Sequence, residues 1–260
     1  MLDCPHPMLP DALARIQSSL RVAASRNRET ARLGPFLATF SPASDLPFLS
    51  YAIPDANADP TPDDIAALVA FYAARERTPR LEYIPDLAPK VEPALLAAGF
   101  AIEIRAPVMV LGTLRPAPIP EGVVLIEAQG YGDVRNLVGA LNEAYGGEPP
   151  TDAEVERQRR RIEDGTIALL AKADGEPVGG GLVVPPEEGL AEVTSIGVRE
   201  GHRRRGVAAA LTSRLTELAL ARGVETPFLM AGGEPEARIY ARVGYRRVGE
   251  ILFVSTSDWS

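Results

Sequence analysis

The chain has 260 residues, of which 46% are hydrophobic and 24% are charged, and this composition is typical of a globular protein. The length fits two medium-sized domains as well as one large domain. A net charge of −8 argues against a general nucleic-acid-binding protein, because such proteins are usually basic. A single cysteine excludes an internal disulfide, and two histidines far apart in the sequence give no indication of a metal site.

The N-terminal sequence and the apolar runs argue against a membrane protein. The N-terminal sequence MLDCPHPMLP lacks the basic segment and the long apolar core of a signal peptide. No run of about 18 apolar residues occurs, so the sequence predicts no membrane-spanning helix. We therefore expect a cytoplasmic protein with neither nucleic acid nor membrane among its partners.

The N-terminal half contains weaker structural signals than the rest of the chain. Two runs, Pro35 to Phe40 and Pro47 to Ile53, are predicted to be hairpin strands. The sequence Thr61-Pro62-Asp63-Asp64 is typical of a helix start, and apolar residues at helical spacing follow it.

A similarity between two segments suggests an internal repeat. The segment that starts at Thr78 and the segment that starts at Thr226 both read as strand, helix, glycine-aromatic pair and strand. We therefore interpret the N-terminal half as a degenerate copy of the C-terminal half, with an unrelated α+β domain as the alternative. Between Ile53 and Thr61 the copy reads PDANADP, which has no glycine or arginine and carries two aspartates that would repel a phosphate.

A proline-rich segment, GTLRPAPIPE at Gly112 to Glu121, separates the two halves. Alternating prolines forbid a helix and favour an extended connector. The sequence therefore predicts two domains, at residues 1–115 and 116–260.

The C-terminal half shows clear alternation of strand and helix patterns. Its predicted order is β-α-α-β-β-β-α-β-α-β, which indicates an α/β fold with a mixed sheet and helices on both faces. The predicted strands are Val123–Ala128, Thr166–Ala173, Val178–Val184, Leu190–Val198, Pro227–Ala231 and Arg246–Val254, and the predicted helices are Asp133–Tyr145, one capped by Thr151, one from about Arg205 to Arg222, and Glu234–Val243.

One turn in this half has the features of a phosphate site. The sequence EVTSIGVREGHRRRGVAAAL places a basic turn between a strand and a helix, so that backbone N–H groups and the positive end of the helix dipole point to one spot. Gly206 lets the backbone approach a phosphate because it has no Cβ. A solvated basic patch is the alternative for the HRRR run. The predicted phosphate-binding turn consists of Arg203, Arg204, Arg205, Gly206, Val207 and Ala208.

The R-x-x-G-x-A spacing of this turn resembles the acetyl-CoA-binding motif of the GNAT N-acetyltransferases. The resemblance covers roughly Glu121 to Val254 and includes the strand before the turn and the strand-helix-glycine-aromatic unit after it. It implies the GNAT acyl-CoA N-acyltransferase fold, with acetyl-CoA as the cofactor. It also implies that the strand before the turn splays away from its neighbour and pairs with the pantetheine arm, through Ile196, Gly197 and Val198.

The resemblance also suggests two catalytic residues. Tyr240 matches the family's Tyr-x-x-x-Gly-aromatic pattern, in which the phenol protonates the departing thiolate, and a tyrosine packed on the sheet is the alternative. Glu192 is the candidate general base, since it lies four residues before Ile196 and hence nominally on the same strand face; a bulge would break that parity. A solvent-facing glutamate is its alternative. Gly233 and Glu236 depart from the asparagine and alanine that the family often has there.

The acceptor site is the least defined part of the sequence. In the family it is lined by the first two helices and the loop between them, which points here to Tyr145 and Gly146 as substrate-binding residues. The net acidic charge suits a cationic amine, whereas the run Arg157 to Arg161 suits either an acidic substrate or a solvated helix face.

The function that these observations predict is an acetyl-CoA-dependent N-acetyltransferase acting on a small-molecule or protein amine. Direct attack in a ternary complex is expected, because no cysteine lies in the C-terminal half to carry the acyl group. The alternative is a non-catalytic acyl-CoA-binding sensor or interaction protein that retains the fold. For the N-terminal half, closure over the acceptor site and a homodimer interface are both open.

Overall fold

The computed structural model describes residues 9–26, 28–42 and 49–256, with side chains described from residue 12 onward. The chain divides into two compact units, unit 1 with Met1–Val108 and Val248–Ser260, and unit 2 with Met109–Arg247. Cys4, His6 and the first part of the predicted strand Pro47–Ile53 lie outside the described residues.

Unit 1 contains a helix followed by alternating strands and helices. Strands β2 and β3 pair antiparallel, as the predicted hairpin requires, but β3 begins at Ala52, so the described residues 49–51 of the second predicted strand are not strand. Strand β3 is parallel to β4, which pairs antiparallel with the end of β11. The elements are α1 (Leu9–Ser25), β1 (Glu29–Leu33), β2 (Phe36–Phe40), β3 (Ala52–Pro54), α2 (Pro62–Ala73), β4 (Arg80–Tyr83), α3 (Val91–Ala97) and β5 (Ala101–Leu111), with β11 (Tyr245–Ser255) at the C-terminal end of the chain.

Unit 2 has the element order that the sequence predicts, which confirms the mixed α/β fold. Its strands lie side by side in the order β10-β9-β8-β7-β6, with β9 and β10 parallel and the others antiparallel to their neighbours. The elements are β6 (Val123–Glu127), α4 (Tyr131–Ala144), α5 (Asp152–Glu163), β7 (Ile167–Ala173), β8 (Glu176–Val183), β9 (Leu190–Val198), α6 (Val207–Ala221), β10 (Thr226–Met230), α7 (Glu234–Val243) and the start of β11.

Local sequence signals fix the ends of several of these elements. Thr151 caps α5 through its hydroxyl, and Glu154 returns the contact to the Thr151 backbone, as the predicted capping box requires. Asp174 and Gly175 both have positive φ, which is the backbone of a tight two-residue hairpin between β7 and β8. Thr61 and Asp64 form a second capping box at the start of α2.

Helices cover both faces of the unit 2 sheet. Along β7, Ala168 and Leu170 pack in the core beneath α4 and α5, whereas Leu169 packs in the core beneath α6. The glycines of β8 allow close approach on both sides. A Cβ at Gly180 would lie 2.1 Å from Leu137 Cδ1 of α4, and one at Gly181 would lie 2.7 Å from Leu215 Cδ1 of α6.

The compact units differ from the predicted domains at residues 1–115 and 116–260. The boundary falls after Val108, inside β5, and the residues from Val248 onward group with unit 1. The proline-rich segment is bound to unit 2 rather than forming a free connector. Its backbone N–H groups donate to partners at the end of α7 and on α6: Gly112 to the Gly244 carbonyl (3.0 Å), Arg115 to the Val243 carbonyl (2.8 Å) and Ala117 to Ser213 Oγ (3.1 Å).

We predict that Gly180→Ala lowers the free energy of unfolding by about 1–3 kcal/mol, as expected for overpacking. The added Cβ would meet Leu137 and, at 2.8 Å, the backbone oxygen of Leu169, which cannot rotate away. The measurement is urea denaturation. Gly132→Ala is the control, since a Cβ there meets nothing within 4 Å; equal stability of the two variants would contradict the close contact between α4 and β8.

Candidate active site

Strands β9 and β10 separate partway along their length. Their parallel register runs from Leu190–Thr226 to Glu192–Phe228, and β9 continues to Val198. In the part of the chain that the structure describes, no register pair joins the two strands beyond Glu192. Backbone groups on this edge of β9 are therefore placed to hydrogen-bond an extended ligand, as a neighbouring strand would.

A β-bulge lies in β9 at this point. Gly180 of β8 is opposite Gly197, and Leu182 is opposite Thr194, so β9 has one more residue than β8 over the same interval. Ser195 within the interval has a φ of 53°. Bulges bend a strand and increase its twist, which accounts for the divergence of β9 from β10.

The bulge places Glu192 and Ile196 on opposite faces of the sheet. Ala191 and Val193 pack in the α6 core, so the intervening Glu192 points to the α5 side, near Arg161. Ile196 packs against the α6 core. The expectation that the two residues share a face is therefore wrong, because the extra residue shifts the alternation by one.

The predicted phosphate-binding turn follows a short 3₁₀ turn, Glu200–His202. Gly206 caps α6 with a φ of 88°, and Arg204 also has a left-handed backbone, with a φ of 61°. Within the described residues, the N–H groups of residues 204–208 form no hydrogen bond. These donors lie at a helix N-terminus and so form a site for an anion. The Arg203 N–H differs from the expectation, since it donates to the Glu200 carbonyl.

The side chain of Arg203 ties the turn to α4. Its Nε donates to the Val198 carbonyl at 3.0 Å, and its Nη2 donates to the carbonyl of Ala144, the last residue of α4, at 2.9 Å. The neighbouring Arg199 forms an ion pair with Glu143 at 2.9 Å. A cation at a helix C-terminus is also favourable for the helix dipole. The sequence predicts that Arg203 binds the cofactor, and it gives no sign that the Arg203 side chain binds the end of α4.

The end of α4 lies directly against β9. A Cβ at Gly197 would lie 3.0 Å from the side chains of both Leu141 and Ala144 and 3.3 Å from Tyr145 Cε2. Gly197 is thus a close-approach residue, which places the exposed ring of Tyr145 beside the unpaired part of β9. Gly146 follows with a φ of 75°, which is the left-handed conformation typical of a helix end.

Tyr240 of α7 lies in the hydrophobic core of unit 2 and is 7% exposed. Burial raises its pKa well above 10, and the nearby Tyr145, Glu236 and Tyr245 add to the rise. The phenol is therefore protonated at neutral pH. Within the described residues its hydroxyl forms no hydrogen bond, whereas that of Tyr245 is 2.7 Å from Thr216 Oγ1.

The two positions that depart from the family pattern lie at the start of α7. Gly233 is its N-cap, and Glu236 Oε2 lies 3.5 Å from where a Gly233 Cβ would be. The Glu236 carboxylate therefore covers the backbone at the helix start, where the helix dipole favours a negative charge.

Unit 1 has its own parallel pair, β3 and β4, and side chains of α1 bridge it. Gln17, which is 4% exposed, accepts from the Ile84 N–H at 2.8 Å and donates to the Pro54 carbonyl at 3.4 Å. Arg21 donates to the same carbonyl at 2.9 Å and pairs with Asp55 at 3.0 Å. The backbone groups at the ends of these strands are thus bound by the chain itself.

The described residues contain neither a metal-binding cluster nor a helix suited to crossing a membrane. No group of three or more histidine, cysteine, aspartate or glutamate side chains is arranged to hold a metal ion. No described helix has the length and apolar character needed to cross a membrane.

We predict that Arg203→Gln lowers the free energy of unfolding by about 1–2 kcal/mol, because two charge-assisted hydrogen bonds to carbonyls are lost. Thermal or urea denaturation of the ligand-free chain measures this. Arg204→Gln removes the same charge from a side chain that has no hydrogen bond within the described residues. If the free energy of unfolding falls equally in both variants, the two hydrogen bonds of the Arg203 side chain do not account for the loss.

Comparison with known proteins bears directly on this site. Residues 134–245 match the model of the acetyltransferase (GNAT) family. No curated protein sequence gives a significant match.

Three solved structures share the fold over nearly the whole chain. A GCN5-related N-acetyltransferase from Kribbella flavida is 24% identical, with a TM-score of 0.76 over 94% of this chain and 95% of that one. A GCN5-related N-acetyltransferase from Sphaerobacter thermophilus is 19% identical, with a TM-score of 0.67 over 97% and 95%. A tandem GNAT protein from the clavulanic acid biosynthesis pathway is 13% identical, with a TM-score of 0.60 over 98% of each chain. Residues 134–245 therefore form a domain of the GNAT acetyltransferase family, and the chain as a whole shares its α/β fold with these structures.

Proposed function

We propose that the chain transfers the acetyl group of acetyl-CoA to a primary amine, by direct attack in a ternary complex. The proposal depends on one observation made on the described residues: the edge of β9 beyond Glu192 has no paired strand, and it continues into the turn where the N–H groups of residues 204–208 form no hydrogen bond. An extended amide-containing arm that ends in a pyrophosphate matches both features in one molecule.

Donor binding is assigned to residues on both sides of the β9 end. The N–H groups of Arg204 to Ala208 bind the pyrophosphate, and the exposed side chains of Arg204 and Arg205 add charge-assisted contacts. The backbone of Ile196, Gly197 and Val198 binds the pantetheine arm, although the Val198 carbonyl already accepts a hydrogen bond from Arg203. Val207 contributes only its backbone, since its side chain is buried in the core.

The chemistry requires one proton to be removed and one to be supplied. Glu192 takes a proton from the acceptor's ammonium, directly or through a water, so that the neutral nitrogen can attack the acetyl carbon. Tyr240 donates its phenolic proton to the sulfur as the carbon–sulfur bond breaks. The burial that raises the pKa of Tyr240 also favours protonation of a thiolate beside it.

A covalent acyl-enzyme on cysteine is disfavoured by the sequence, because the single cysteine, Cys4, lies far from unit 2 along the chain. Holding both substrates together supplies the proximity that a direct attack needs. We assign the acceptor to the region around Tyr145 and Gly146, which adjoins the unpaired part of β9.

We predict thiol release from acetyl-CoA with at least one member of a panel of primary amines, and a kcat about 10²–10⁴-fold lower in Tyr240→Phe, since a general acid is removed. Calorimetry should show unchanged acetyl-CoA affinity in that variant. Tyr245→Phe is the control, because the Tyr245 hydroxyl is bonded to Thr216 in the core, and its kcat should remain within a few-fold of the parent.

Two outcomes would contradict the enzymatic proposal. Acetyl-CoA binding without turnover, and with no change in Tyr240→Phe, would favour the acyl-CoA-binding sensor that Gly233 and Glu236 motivate. The absence of both binding and turnover would exclude the enzyme and the sensor alike.

A further inference from the structure

The basic run on α5 divides into two sides of the helix. Arg159 forms ion pairs with Glu156 at 3.0 Å and Glu163 at 3.7 Å, as on a solvated helix face. Arg157 and Arg161 are one turn apart on the other side of the buried stripe. Neither forms an ion pair within the described residues, so their positive charges are not neutralised by direct contact.

A buried glutamine holds one of these arginines. Gln158 is 8% exposed, and its Oε1 accepts from Arg161 Nη1 at 3.4 Å. Its Nε2 has no hydrogen-bond partner within the described residues. A buried amide donor without a partner costs free energy, so its occurrence beside an unpaired arginine points to a polar ligand at this place.

Arg161 is exposed to solvent and lies close to Glu192 and Arg157. Burial among protein atoms is the main factor that lowers its pKa, Glu192 raises it, and the like charge of Arg157 lowers it. A bound anion would counter both the desolvation and the repulsion. An arginine fork is well matched to a carboxylate, which it can bind through two parallel hydrogen bonds.

Arg161 lies close to the point where β9 and β10 separate. Glu192, whose charge is felt by Arg161, is the last residue of β9 that pairs with β10. A ligand whose carboxylate binds Arg161 would therefore have its other end beside the β9 gap. Because Glu192 and Arg161 are neighbours, the amine and the carboxylate of such a ligand must be close together.

We propose that Arg161, positioned by Gln158 and assisted by Arg157, binds the carboxylate of the acceptor, so that the acceptor is a small amino acid whose amine lies beside Glu192. This inference rests on the proposed acetyl transfer for its reaction. The binding of the carboxylate is a separate property, which can be measured without turnover.

The test compares α-amino acids with their C-terminal amides as acceptors for the full-length chain, by following thiol release from acetyl-CoA. The free acids should have a kcat/KM about 10–100-fold higher than the amides, the range expected for loss of a hydrogen-bonded charge pair. Arg161→Gln should abolish this preference through KM while leaving the acetyl-CoA affinity unchanged. Arg161→Lys, which keeps the charge without the fork, should retain part of it.

Arg160→Gln is the matched control, because it removes an exposed arginine from the same helix and should keep the full preference. Equal use of acids and amides, or a preference that survives Arg161→Gln, would overturn the inference while leaving acetyl transfer intact. If no acceptor is acetylated, calorimetry with the same acids and amides still decides the matter: tighter binding of the acids that is lost in Arg161→Gln supports the carboxylate site, and binding of neither series overturns it.

Discussion

The extra residue in β9 is the constraint on which the site depends. It lies at Ser195 and Ile196, separated by two residues from the last pairing with β10 at Glu192, and it changes both the direction of the strand and the faces of its side chains. Glu192 before the bulge faces α5, whereas Ile196 after it faces α6. A regular strand would have placed the candidate base and the donor-binding strand segment on one face and would have closed the gap with hydrogen bonds.

The open strand edge is stabilised by contacts that come from α4. Gly197 allows the helix end to lie against β9, and Arg203 binds the carbonyl of Ala144 while also holding Val198. The last turn of α4 is therefore attached to the turn that presents residues 204–208. In the proposed reaction this arrangement positions Tyr145 of the acceptor region relative to the donor-binding backbone. The net charge of −8 would by itself disfavour binding of a pyrophosphate, so that binding depends on the local arrangement of the turn.

The sequence predicted the order of elements in unit 2 because the signals there are local. The Thr151 capping box, the Asp174-Gly175 turn and Gly244 each fix an element end through neighbouring residues. The bulge could not be predicted, since it depends on the register of β9 against β8 and Ser195 itself carries no signal. Long-range hydrogen bonds were missed for the same reason. The side chains of Arg203 and Gln17 act on backbone groups far away in the sequence.

The sequence also missed α1, although Leu13, Ile16 and Ala24 form its buried stripe. This helix changes the interpretation of unit 1. The segment PDANADP lacks a phosphate-binding turn. In addition, the side chains of Gln17 and Arg21 donate hydrogen bonds to the carbonyls at the strand end, and Asp55 forms ion pairs with Arg21 and Arg32. In the interpretation of unit 1 as a degenerate repeat, the chain's own side chains take the place of a ligand.

Taken together, these contacts imply one donor site, formed by the β9 gap and the turn after it. The most direct measurement is a calorimetric titration of the full-length chain with acetyl-CoA. We predict one molecule bound per chain, with binding strongly weakened in Gly206→Ala, because a Cβ at a φ of 88° strains the turn that presents the N–H groups. Two molecules per chain, or a single site unaffected by Gly206→Ala, would contradict it.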